Sequence, residues 1–98
     1  MALRVVWTKR ALRNFAEGAN FAEEMWGAEM KSAFISRTFR TIDLINAFPE
    51  IGILEDPSKG IRSFRMPPHH RLYYRTDETR LLILSIFDKR MDHDRLWQ

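Results

Sequence analysis

Cysteine is absent from the 98-residue sequence. Disulfides, thiolate metal sites and a thiol nucleophile are therefore excluded, and the chain suits a reducing cytoplasm, where we expect it. Glycine and proline number only four each. The glycines, at 18, 27, 52 and 60, are too scattered for the dinucleotide-binding or Walker phosphate-loop patterns. Long apolar runs are also lacking. The longest, "LLILSIF" at 81–87, is far too short to cross a bilayer, and Arg4, Lys9 and Arg10 interrupt any leader-like stretch at the start. No membrane role is expected. Acids are missing from one segment: from Lys59 to Arg75 the charged residues are Lys59, Arg62, Arg65, Arg71 and Arg75, with His69 and His70 among them.

What is present describes an ordinary globular chain. Apolar residues make up 45% and charged residues 30%, and the length fits one domain spanning 1–98. A chain this short buries only about two thirds of its unfolded surface, so its core is thin and a partner would help it. Net charge is +3. The acid-free segment suits a polyanion or an acidic protein partner, or else a solvated strand face.

The periodicity predicts a strand at 3–8, then a helix over 9–25 capped by Thr8, with Leu12, Phe15, Ala16 and Ala19 on its apolar side. Gly18 is an unfavourable residue within that helix. A second helix spans 26–48, with Ile35, Thr38, Ile42 and Ile45 inward, and Phe48-Pro49 stops it. Residues 49–60 read as a loop. Strands follow at 61–66, 70–76 and 80–87, and the last, apolar on both faces, belongs inside its sheet. This predicts an α+β fold ordered β-α-α-β-β-β, with two helices on one face of a small, mainly antiparallel sheet. The opposite face is then left polar, covered by the tail, or used for binding.

The segment "PPHHRLYYR" at 67–75 contains the side-chain types of a metal-free ribonuclease. Such chemistry needs a base for the 2′-hydroxyl, a cation for the phosphorane and an acid for the leaving oxygen. His69, His70 or His93, then Arg65, Arg71 or Arg90, and then Tyr73 or Tyr74 are the candidates. Strand alternation puts Arg71, Tyr73 and Arg75 on one face and Leu72 and Tyr74 on the other. It also separates His69 from His70, which argues against a shared metal, and no cofactor motif is present. The alternative is a set of solvated or ion-paired arginines.

"FPEIG", "GIRSF", "HRLYYRTD", "LLILSIF" and "KRMDHDRL", in that order over nearly the whole chain, resemble the RelE/ParE family of bacterial type II toxins. "LYYRTD" and "RMDHDRL" are more similar to the ParE branch. The resemblance implies a gyrase inhibitor neutralised by a cognate antitoxin. The alternative is a RelE-like ribosome-dependent mRNA endonuclease, and a third reading is a degenerate toxin that only binds antitoxin. Carried onto this sequence, the RelE-like cutting set retains Arg62, Arg71 and Arg90. Phe64 stands where a second basic residue is expected, and Leu96 where a tyrosine is. Other cutting members use His and Asp near the C-terminus, where Asp92 and His93 lie. A non-enzymatic role is thus the first expectation, with Arg62, Arg65, Arg71, Tyr73, Arg75, Arg90 and Trp97 as the partner- and target-binding residues.

Overall fold

A computed structural model describes residues 2–90. Strand β1 (Arg4–Trp7) leads into helices α1 (Lys9–Trp26) and α2 (Ala28–Ala47), which meet at Gly27. Strands β2 (Ile53–Asp56), β3 (Ile61–Met66), β4 (His70–Thr76) and β5 (Arg80–Asp88) follow. They form one sheet in the order β1-β5-β4-β3-β2, in which β1 runs parallel to β5 and every other pair is antiparallel. The predicted class holds, with one strand more than expected. Residues 53–56, read as loop, pair with β3 at the sheet edge. The run was too short, and too acidic at Glu55 and Asp56, to stand out as a strand.

Thr8 starts α1 as predicted, its hydroxyl accepting the Ala11 N–H at 3.1 Å. The same hydroxyl lies within donating distance of the Ile83 (3.0 Å) and Leu84 (2.9 Å) carbonyls. Those carbonyls belong to a bulge: Tyr73 pairs with Ser85, but Tyr74 pairs with Ile83, leaving Leu84 extra. Asn14 completes the join by accepting the Ile86 N–H at 3.1 Å. Leu81, Ile83 and Ile86 therefore all reach the helix-side core, although their spacing is not that of a regular strand.

The buried face of α1 is Ala11, Ala19 and Ala22, with Phe15 packed beside them. This corrects the expected stripe, since Leu12 and Ala16 face solvent. Small residues win the inward positions because α1 sits close to both β5 and α2. Gly18 has the same cause: a Cβ there would lie 2.6 Å from the Phe34 ring. The α2 face is nearer to expectation, with Phe34, Thr38, Thr41, Ile42 and Ile45 buried. Both helices cover the same side of the sheet, where Met66, Leu72, Tyr74, Leu81 and Ile83 complete the core. No described element covers the other side.

Candidate functional site

Strand β4 is the centre of the sheet, and its two faces differ in chemistry. Leu72 and Tyr74 point to the helices and are fully buried. The Tyr74 hydroxyl donates to the Pro49 carbonyl at 2.8 Å and accepts the Gly52 N–H at 2.9 Å. The fit is tight, as a Cβ on Gly52 would meet both the Tyr74 hydroxyl and the Ser63 carbonyl at 2.7 Å. Arg62 secures the same turn from the helix side, donating to the Gly52 (2.9 Å) and Glu50 (3.3 Å) carbonyls. The "FPEIG" turn is thus held by Tyr74 and Arg62.

On the open face, register sets Arg65 opposite Arg71 and Ser63 opposite Tyr73. Two guanidinium groups directly across an antiparallel pair repel, so an anion placed between them is favoured. A hydrogen-bonded chain orients one of the two. Arg71 Nη1 donates to Ser63 Oγ at 2.9 Å, and Ser63 Oγ donates to Glu55 Oε2 at 2.5 Å. Beside it is a cavity of about 200 Å³ whose lining includes Arg65, His69, His70, Arg71, Tyr73, Phe87 and Lys89. Burial, reinforced by Glu55, pushes the Tyr73 phenol above its ordinary pKa, with Arg71 opposing. Arg75 is exposed on this face, and among the described residues neither it nor Arg65 forms an ion pair.

The remaining candidates lie elsewhere. His70 faces the helices, 4.9 Å from the Phe34 ring and 3.8 Å from the Asp88 carboxylate. Burial holds its pKa below the ordinary histidine value despite Asp88. Arg90 forks onto Asp88, with Nε to Oδ1 at 2.9 Å and Nη2 to Oδ2 at 2.6 Å. Burial pulls the Asp88 carboxyl up, but the Arg90 hydrogen bonds and charge, with His70, outweigh it and leave it below the usual range. The Arg90 guanidinium also lies 5.3 Å from the Phe21 ring centre and 5.9 Å from that of Trp26.

The structure therefore brings Arg65, Arg71, Tyr73 and Arg75 together. It puts Arg62, His70 and Arg90 on the helix side; His93 and Trp97 lie outside the described residues. Sequence reading missed Glu55 and Ser63. The signal available was the alternation of Ile61, Ser63 and Arg65, which predicts that Ser63 shares the arginine face. Glu55 had no such signal once its strand was read as loop. Among the described residues, no group of three or more His, Asp or Glu is placed to hold a metal ion.

Two helices packed on one side of a five-stranded mixed sheet match the α+β fold of the RelE/ParE-like toxins. The ParE toxin of type II toxin–antitoxin systems, parDE, matches this chain over residues 5–93, and the chain belongs to that family. No protein with a curated description matches it in sequence. Similar solved structures include a chain of the chromosomal ParDE system of P. aeruginosa, with TM-score 0.73, 15% identity, and coverage of 89% of this chain and 96% of that one. A YoeB/ParE toxin from Agrobacterium tumefaciens gives TM-score 0.60 and 19% identity over 88% and 98% of the two chains. A chain of the RelBE2 toxin–antitoxin complex of Mycobacterium tuberculosis gives 0.60 and 22% over 90% and 99%. At these identities the likeness is one of fold. Among the described residues no helix is long and apolar enough to cross a membrane.

Proposed function

We propose that this ParE-family toxin acts in the cytoplasm by inhibiting DNA gyrase and is neutralised by a cognate antitoxin. The observation that carries the reading is the family match over residues 5–93. The antitoxin is supported by relatives solved as parts of toxin–antitoxin systems. It is also supported by Arg65 and Arg71, whose mutual repulsion an acidic segment would relieve. In this reading Arg65, Arg71, Tyr73 and Arg75 contact the partner. Arg62 and Arg90 support the fold, Arg62 through the 50–52 turn and Arg90 through Asp88.

Metal-free mRNA cleavage is the second reading, and one observation favours it: a carboxylate, a hydroxyl and a guanidinium are linked through Glu55, Ser63 and Arg71. Against it, the His70 ring packs on Phe34 and near Asp88, Arg90 forks onto Asp88 on the helix side, and Phe64 packs against the core. Expression of the isolated chain, with mRNA integrity and gyrase supercoiling both followed, separates the two. The gyrase reading expects growth arrest, lost supercoiling and intact mRNA. Codon-biased cleavage abolished by Arg71→Ala or Glu55→Gln would replace it with the second.

A further inference from the structure

Helix α2 buries one side against the sheet and α1, and carries a patterned stripe elsewhere on its surface. Met30, Arg37 and Leu44 recur every seven residues, which sets them one above another, with Arg40 beside them. Met30 is 44% exposed and Leu44 37%. The stripe is one wall of a groove. Toward the α1–α2 junction, a cavity of about 210 Å³ has Trp26, Met30, Arg37 and Pro68 in its lining. Next to it, an open hollow of about 540 Å³ is lined by Arg37, Arg40, Thr41, Leu44, Pro67 and Pro68. Arg37 and Pro68 belong to both, so the two are continuous, and the turn between β3 and β4 is the second wall. Among the described residues neither Arg37 nor Arg40 forms an ion pair, although Asp43 stands one helical turn beyond Arg40.

We propose that this groove receives an acidic amphipathic helix of the antitoxin. The inference rests on the antitoxin reading above and adds to it a contact on the helix side of the sheet. The pattern of the stripe selects the occupant. Two guanidinium groups without carboxylates call for acids, and the exposed apolar groups on either side of them, Met30 and Leu44, call for apolar side chains. Seven helical residues rise roughly 10 Å, so a helix laid along α2 matches the stripe with the same repeat. It would present an apolar residue, an acid about seven positions on, and a second apolar residue about seven beyond that. A second copy of this chain fits badly, because two such stripes face to face bring four arginines together. A nucleic-acid backbone would answer the arginines but give Met30 and Leu44 nothing to bury against.

The test uses the full chain and its cognate antitoxin, with affinity measured by titration calorimetry at low and high salt. Arg37→Glu/Arg40→Glu weakens binding by at least about a hundredfold, and Arg37→Gln/Arg40→Gln by about tenfold with a shallower salt dependence. Both arginines are outside the core, and circular dichroism melts verify that the variants fold. Lys9→Glu/Arg13→Glu makes the same change in net charge at exposed α1 positions that line neither part of the groove, and weakens binding by less than about threefold. An equal loss in that control would assign the effect to overall charge and overturn the proposal. Changing the acids of the antitoxin to arginine one at a time identifies one that restores at least about tenfold of the affinity lost in Arg37→Glu/Arg40→Glu. A complete scan without rescue would also overturn it. So would affinity within about threefold of the unaltered chain in both Arg37/Arg40 variants, an outcome that leaves the antitoxin reading standing. If those variants instead lose an oligonucleotide that the unaltered chain retains, the groove belongs to nucleic acid. An antitoxin that does not bind the unaltered chain at all would remove the antitoxin reading itself, and this inference with it.

Discussion

Strand β4 serves two different purposes on its two faces. Inward, Leu72 and Tyr74 are fully buried, and the Tyr74 hydroxyl ties two backbone groups of the 49–52 turn. Outward, Arg71 and Arg75 are charged, and Arg71 is held by a serine instead of a carboxylate. The inward face is specified by packing, so it tolerates little change. On the outward face Arg65, Arg71 and Arg75 form no ion pair among the described residues. Core packing and the proposed recognition surface thus alternate along one strand.

That separation can be broken deliberately. Tyr74→Ala is expected to be the most damaging change, costing about 3–5 kcal/mol of stability in urea melts, since it empties the core and frees the turn. An Arg65→Ala/Arg71→Ala double variant should instead retain its melting behaviour within about 1 kcal/mol. Its affinity for the antitoxin, measured by titration calorimetry, should fall by about 2 kcal/mol or more, with weaker salt dependence. If that double variant unfolds, the two faces are not independent. Next in size are Tyr74→Phe, expected to cost about 1–3 kcal/mol through the unpaired turn groups, and Gly52→Ala, about 1–3 kcal/mol through overpacking against Ser63 and Tyr74.

The smallest effect concerns His70. Its pKa in the folded chain is below the ordinary value, so on acidification the unfolded chain binds the proton first. Its contribution to stability is therefore fully present above the ordinary histidine pKa of the unfolded chain and is lost as the pH falls below that value and through the lower folded one. His70→Gln should flatten that part of the melting-temperature profile, and an unaltered slope would assign the dependence to other groups.

Much of this was legible in the sequence. Helix ends were marked by Thr8 and by Phe48-Pro49, and strand alternation divided β4 correctly between its faces. The errors have physical causes. An edge strand is held by backbone pairing on one side only, so Ile53–Asp56 carried little side-chain pattern. The α1 stripe was misassigned because close packing favoured alanines over Leu12. Arg62 shows another limit: charge identifies a cation, but only the fold reveals that this one is used on the carbonyls of the 50–52 turn. "FPEIG" carried the family resemblance, and it marks the scaffold, being held by Tyr74 and Arg62.

The extra residue at Leu84 has a further consequence. It shifts the phase of β5, so the strand is read in one frame beside β1 and in another beside the β3–β4 turn. Substitutions before the shift change how the first strand and α1 are held. Those after it, at Ser85 and Phe87, change the ground beside Tyr73 and Arg71. One strand can therefore be altered beside the cationic face while its pairing with β1 stays fixed, so the two ends of β5 are free to vary separately.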